Sequence, residues 1–239
     1  MQILMICPLY YPWIGGAEIA AGRLARDLSS RDVVVQIIAE RSKWSWAAME
    51  SRHGVCIRRL PRFFDNYLGA LVFKVSLTLY LLCYGRRYSV WHLNQIGFNA
   101  CLAIVLGKML RRPVVLKLTG AGVTGIDRKV RAVPLSFLCR SLSKWADAYI
   151  CPSRETMNDA LEFGLDPSKL FLIPNGIDVE EFHPVGTEQR ESLKKELGFE
   201  GKSIVLFLGR LSTEKNPIGL VEAWRQIDPS CRHDWTLVM

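Results

Sequence analysis

Ser203-Ile204-Val205-Leu206-Phe207-Leu208 runs into Gly209-Arg210-Leu211-Ser212-Thr213-Glu214-Lys215-Asn216-Pro217, and then comes an amphipathic stretch from Ile218 to Ile227. A strand, a glycine-containing turn and a helix in this order aim backbone N–H groups and the positive end of a helix at an anion. Arg210 and Lys215 add two positive charges at the same mouth. A diphosphate suits such a loop. Outside this setting two loop cations would be read as solvated. The strand, glycine and helix start together give them a ligand.

Working outward, the same alternation fills the chain. Apolar runs predict strands at Ile3–Ile6, Val33–Ile38, Val55–Arg59, Val90–Leu93, Val114–Leu118, Ala148–Cys151, Leu170–Ile173, Ile204–Leu208 and Thr236–Met239. Helical patterns fall at Ala17–Leu28, Phe98–Leu110, Val130–Trp145, Glu155–Phe163, Glu188–Leu197 and Ile218–Ile227. Near-continuous apolar strands alternating with helices imply a parallel sheet covered on both faces, a doubly wound α/β fold.

Ile173-Pro174-Asn175-Gly176-Ile177-Asp178 interrupts this rhythm. Proline fixes φ, and Asn-Gly supplies positive-φ conformations, so a tight turn is expected at Asn175-Gly176. Asp178 is placed to cap the next turn, with Glu181 three residues on. The segment divides the chain into a first domain, residues 1–180, and residues 181–239, a linker helix with the first βαβ fragment of a second domain. The strands of that fragment are expected to be unpaired and half-covered.

Composition agrees with a globular protein: 49% hydrophobic and 23% charged residues among 239. Seven cysteines, with no C-x-x-C pair, read as reduced structural thiols in a cytosolic chain. Met1 to Ile6 lacks a basic n-region and reads as a first strand. Residues 1–150 hold 21 Lys and Arg against 8 Asp and Glu, whereas residues 151–239 hold 10 against 15. A basic front half fits an anionic membrane surface or acidic ligand, or is simply a solvated face. Without a nucleic-acid-binding motif beside the charge, nucleic acid is not the expected partner.

Tyr67 to Tyr84 is an apolar run broken by Lys74, Ser76 and Thr78 and flanked by Arg62, Arg86 and Arg87. A helix buried in the first domain is the first reading, and a helix in a membrane interface the second. A true span is third, because Lys74 would be costly in lipid. Near the start, Tyr10-Tyr11-Pro12-Trp13-Ile14-Gly15-Gly16-Ala17-Glu18 joins the first strand to the first helix. Paired glycines there let backbone approach a ligand, and a simple tight turn explains them equally well. The pattern is not G-x-G-x-x-G, so the dinucleotide fingerprint is absent. The aromatic residues read as loop packing, Ser153 as a helix N-cap, and Glu18 as a first-turn charge or, as a cleft candidate, a polar group facing the ligand.

Taken together these pieces resemble family 4 glycosyltransferases of the GT-B fold. The resemblance rests on Gly15-Gly16-Ala17-Glu18, Cys151-Pro152-Ser153, Gly164-Leu165-Asp166-Pro167-Ser168-Lys169-Leu170, Ile173 to Asp178, Phe182-His183-Pro184, and Gly209-Arg210-Leu211 with Glu214-Lys215-Asn216. It covers essentially the whole chain. It implies two Rossmann-like domains with a cleft, an N-terminal one for the acceptor and a C-terminal one for a nucleotide diphosphate sugar. Arg210 and Lys215 match the basic pair that neutralises the departing diphosphate, which requires no metal or other cofactor. Gly15 and Gly16 match the loop facing the donor phosphate or sugar, and Asn175-Gly176 the hinge side of the cleft.

The chain departs from the family pattern in two places. Relatives carry a His after the strand that here reads Val114 to Leu118, whereas this chain has Thr119-Gly120-Ala121-Gly122, so Thr119 or a glycine amide becomes the candidate contact. His92, at an earlier strand end, reads as structural. The family's paired glutamates of the C-terminal domain have no match. Glu214 and Glu222 have seven residues between them but lie too early and lack the glycine context, and Glu222 reads as solvated. The resemblance thus implies a retaining transferase cut short within its C-terminal domain and poorly active alone. It would pass a sugar to a hydroxyl of a glycan or lipid-linked acceptor. The basic first domain and its apolar helix suggest a lipid-linked or polyanionic acceptor at the inner face of a membrane, with the protein cytoplasmic and peripheral there. The rivals are a split transferase completed by a second chain, and a non-catalytic glycan- or membrane-binding module.

Overall fold

A computed structural model describes all residues except 14, 121–124, 134 and 231, together with the side chain of 214. The apolar runs become β1 (Gln2–Ile6), β2 (Val34–Arg41), β3 (Met49–Arg52), β4 (Val55–Pro61), β5 (Val90–Leu93), β6 (Val114–Lys117), β7 (Ala148–Cys151) and β8 (Leu170–Leu172). They form one sheet in the order β3-β4-β2-β1-β5-β6-β7-β8. All neighbours pair in parallel except β3, which runs antiparallel along β4. The helices are α1 (Gly16–Ser29), α2 (Tyr67–Tyr84), α3 (Phe98–Leu110), α4 (Ile126–Arg131), α5 (Ser136–Ser143) and α6 (Arg154–Phe163).

Successive strand residues point to opposite faces, so β1, β2 and β4 feed two cores, whereas β5, β6 and β7 feed one. Ile3, Met5, Ile37 and Ile57 pack with Ala21 and Ala25 of α1. Leu4, Ile38, Trp91, Leu93 and Leu116 pack on the other side with α2, α3, α5 and α6. This explains why β1 reads as apolar without alternation. Close approach is built in at Gly107 of α3, where a Cβ would sit 2.4 Å from the Val114 side chain.

The structure departs from the expectations at several points. The helix predicted over Val130–Trp145 is two helices, α4 and α5. A proline at 134 cannot continue a helix, and Leu135 takes a left-handed φ of 57°. Strand β3 is an addition, because Met49-Glu50-Ser51-Arg52 carries no apolar pattern. Asn175 and Gly176 do not make a positive-φ turn. The segment 173–178 has no regular structure, and the turn forms later, where Asp178 Oδ1 accepts from the N–H groups of Glu180 (3.0 Å) and Glu181 (3.1 Å).

The chain divides into two compact units, Met1–Gly176 and Ile177–Met239. The division falls inside the Pro-Asn-Gly-Ile-Asp segment, slightly before residue 180. The second unit holds α7 (Thr187–Glu196), β9 (Ser203–Leu206), α8 (Pro217–Gln226) and β10 (Trp235–Val238). Its strands are not unpaired: β9 and β10 pair in parallel, from Ser203 opposite Trp235 to Leu206 opposite Val238. They are half-covered, and no described residue of this unit is buried.

Candidate functional site

From β1 the chain builds outward through β2 and β4; from β5 it builds the other way through β6, β7 and β8. The reversal lies between β1 and β5. Ligands of open α/β sheets bind outside the carboxyl ends of the strands at such a point. The loop after β1 carries Gly15, Gly16 and Glu18 there. Gly15 precedes α1 with extended backbone, and a Cβ on it would lie 2.2 Å from Glu18 Oε2. Glu18 therefore folds back over the helix start, as a first-turn charge should. A Cβ at Gly16 would meet nothing within 4 Å, so this backbone is open to an approaching group.

The aromatic residues of this loop are packing, as expected. Arg52 lies 3.6 Å over the Tyr11 ring, and Trp13 meets Trp46 edge-on at 6.2 Å. Buried Arg59 donates to the Tyr11 carbonyl (2.8 Å) and to Glu50 Oε1 (3.0 Å), tying loop, β3 and β4 together. The residue that joins the two sides of the switch point escapes the sequence reading. Asn94, just after β5, donates from Nδ2 to the Ala17 carbonyl (3.0 Å) and to Cys7 Sγ (3.4 Å). Its Oδ1 is buried without a partner among the described residues. Burial pushes the Cys7 thiol up to about 12, so it stays neutral and serves packing. The signal for Asn94 is a polar Asn-Gln pair directly after an apolar strand.

Beside these groups a crevice of about 230 Å³ opens among Ile6, Glu40, Arg62, Gln95, Gly97 and Asn99. Arg62 pairs with buried Glu40. The N-terminus of α3 faces the crevice and has no side-chain cap at Gly97, and Asn99 Oδ1 is buried without a partner among the described residues. The crevice thus offers an uncapped helix start, a guanidinium and two amide side chains, a set suited to hydroxyls and anionic oxygens.

After β6, Thr119 is tied back to α4, since Lys129 Nζ donates to its carbonyl and to Oγ1 (3.0 Å). Gly120 comes next with φ of 81°. Ala121 and Gly122 lie outside the described residues. His92 is buried, and neither ring nitrogen has a partner among the described residues. Burial, aided by the Lys117 charge, pulls its pKa down to about 4, so the ring is neutral and structural. Ser153 caps α6, accepting from the Thr156 N–H at 3.1 Å. Asn175 and Gly176 are exposed beyond β8, at the far side of the sheet from β1.

In the second unit, β9 ends at Leu206, the chain bends at Gly209, and a short 3-10 turn, Thr213–Lys215, precedes α8. A Cβ on Gly209 would lie 4.0 Å from Lys215 Cγ, so the Lys215 stem runs beside the residue that precedes Arg210. The loop is held by Ser212 N–H donating to the Arg210 carbonyl (2.8 Å) and Lys215 N–H to the Ser212 carbonyl (2.9 Å). Asn216, in the left-handed region at φ 48°, caps α8 by accepting from Gly219 N–H (3.1 Å). Ser212 Oγ is buried without a partner among the described residues. Arg210, Lys215 and a helix start thus share one loop, and Glu222 is exposed on α8.

The sequence profile of Glycosyltransferase Family 4 matches residues 14–181. The chain belongs to glycosyltransferase family 4. Among the relatives of this family 4 chain is the UDP-Gal:alpha-D-GlcNAc-diphosphoundecaprenol alpha-1,3-galactosyltransferase of Escherichia coli. It is 28% identical over 157 residues, covering 64% of this chain and 40% of that enzyme. The GDP-mannose:cellobiosyl-diphosphopolyprenol alpha-mannosyltransferase of Xanthomonas campestris is 24% identical, covering the whole of this chain and 60% of its own length. The crystal structure of Anabaena Alr3699/HepE in complex with UDP-glucose superposes with a TM-score of 0.73 at 19% identity, over 99% of this chain and 59% of that one. This family 4 chain therefore has the GT-B fold and spans three fifths or less of the length of each of these proteins.

Proposed function

We propose that this family 4 chain serves a retaining transfer of a sugar from a nucleotide diphosphate sugar to a hydroxyl of a glycan or lipid-linked acceptor. The observation that carries it is the loop Gly209–Asn216, which holds Arg210 and Lys215 directly ahead of the start of α8. In the reaction the acceptor oxygen bonds to the anomeric carbon, and the bond from that carbon to the diphosphate oxygen breaks. The acceptor proton passes to the departing diphosphate. Arg210 and Lys215 stabilise the negative charge that grows on that group, an effect strongest when the cations are already in place.

The crevice beside Arg62, Gln95 and Asn99 receives the acceptor in this reading, and Gly15 and Gly16 keep a backbone surface open. The relatives named for diphosphoundecaprenol and diphosphopolyprenol substrates support a lipid-linked acceptor. The basic first 150 residues support a cytoplasmic protein peripheral to the inner face of a membrane.

Calorimetric titration with UDP and with GDP tests the proposal. Arg210→Ala and Lys215→Ala should each weaken binding of the matching nucleotide about tenfold or more, since hydrogen bonds to charged groups contribute ~1.5–3 kcal/mol. Binding should also fall as salt rises. Affinity in either variant equal to that of the intact chain, or no nucleotide binding by the intact chain, overturns the reading.

A further inference from the structure

Helix α2 is tied to the sheet on one side only. Phe73, Leu77, Tyr80 and Leu81 are buried, and the Tyr80 hydroxyl meets that of Tyr88, which donates to Gln36 on β2. Trp91 Nε1 donates to the Gly85 carbonyl at the helix end (3.1 Å). The helix is therefore part of the α/β unit and does not cross a bilayer by itself, although it is long and apolar enough to do so, with a mean hydropathy of 1.6. It is not the buried helix of the first reading either. Leu68, Leu71, Val75, Leu79 and Leu82, spaced three and four residues apart, line its other side and are 45–57% exposed. A face that water covers normally carries charge. On α2 the sole charged residue is Lys74.

Lys74 lies in a groove of about 360 Å³ between α2 and α3, with Leu71, Val75, Phe98, Leu102 and Leu135 among its walls. Its ammonium stands 4.4 Å from the Phe98 ring centroid and 5.7 Å from that of Tyr67. None of the ion pairs between described residues includes it. A half-buried cation with apolar walls on both sides matches an amphiphile whose anionic group lies next to a hydrocarbon chain.

We propose that the outer face of α2 and this groove dock onto an anionic lipid bilayer, with Lys74 pairing a lipid phosphate. Charge complementarity selects the bilayer over an apolar protein partner. Residues 62–112 contain seven Lys and Arg and a single acidic residue, Asp65; Arg62 and Lys108 pair with Glu40 and Asp147, and five cations remain in excess of those pairs. Arg86 and Arg87 are exposed at the carboxyl end of α2. Exposed Tyr67 and Tyr84 bracket the stripe, as amphipathic rings do at a membrane interface. A helix held flat by its inner face buries its apolar side ~5–10 Å into the headgroup and acyl boundary. The proposal rests on the membrane location given above and not on sugar transfer, so the two fail separately.

Flotation of the purified chain tests it, with vesicles of phosphatidylcholine alone and of phosphatidylcholine mixed with phosphatidylglycerol. The chain should float with the anionic vesicles, weakly with the neutral ones, and less as salt rises. Leu71→Ser/Val75→Ser/Leu79→Ser should cut the bound fraction about tenfold or more, because three apolar side chains no longer insert. Lys74→Gln should cut binding to anionic vesicles severalfold and leave binding to neutral vesicles unchanged. Circular dichroism and nucleotide titration show that each variant is folded, since the substituted residues lie outside the core and the diphosphate loop. No flotation of the intact chain, equal flotation of the triple variant, or dimerisation abolished by the triple variant overturns the proposal. The last would assign the face to a second copy of the chain.

Discussion

Met1–Gly176 hides residues on both faces of an eight-stranded sheet, whereas Ile177–Met239 pairs two strands and buries none of its described residues. The two carry different parts of the proposed chemistry for the same reason. Burial fixes the crevice at the β1/β5 switch point, since Asn94 and Arg62 are positioned by strands from distant parts of the sequence. In the second unit the loop that gathers Arg210 and Lys215 is shaped by neighbours in sequence: a bend at Gly209, a 3-10 turn and the Asn216 cap. A phosphate loop can be organised locally; an acceptor crevice cannot.

Substituting one tryptophan in each unit tests that contrast most sharply. Trp91→Ala removes a fully buried ring that also donates to Gly85, and should cost about 4 kcal/mol in denaturant titration. Trp224→Ala, on half-buried α8, should cost about 1 kcal/mol or less, because little apolar area leaves water there. Equal costs would mean that the second unit is held by a core of its own.

Acid should act on the first unit. The folded-state pKa of His92 is lowered from 6.5 to about 4 by burial, with the Lys117 charge acting in the same direction. The unfolded chain then binds more protons below pH 6.5, so stability is full above that value and falls as pH drops toward 4. At about 1.4 kcal/mol per pH unit the loss approaches ~3 kcal/mol. Thermal melts of His92→Leu should lack this slope between pH 6.5 and 4. An unchanged slope would assign the acid sensitivity to other groups.

The smallest effect belongs to the locally built unit. Asn216→Ala removes the acceptor for Gly219 N–H and should cost about 1 kcal/mol. Faster amide exchange at Gly219, with β1 and β5 unchanged, is the expected readout. Protection lost throughout the chain would contradict the independence of the two units.

Much of the fold is readable because its signals are local or periodic. The runs Val90–Leu93, Ala148–Cys151 and Phe98–Leu110 form elements with those bounds. Asp178 and Ser153 cap as their spacing implies. Strand β3 is not readable, since Met49 to Arg52 is polar and becomes a strand only by pairing with β4. The break between α4 and α5 has a visible cause in the proline at 134, which the apolar pattern on either side outweighs. Among the candidate residues, Gly15 and Gly16 in the first unit and Arg210 and Lys215 in the second stand out by residue type and spacing. Asn94, Asn99 and the Glu40–Arg62 pair do not, because their significance lies in partners, or missing partners, far along the chain.

The sequence by itself determined the alternation of strand and helix, the family to which the chain belongs, and the composition of the basic loop after β9. Those properties depend on the order of neighbouring residues and on backbone preferences within a few residues. Only the tertiary structure decided which side of α2 is covered and which is left apolar in the open. Hydropathy is the same on both sides of that helix, and only the position of the sheet distinguishes them.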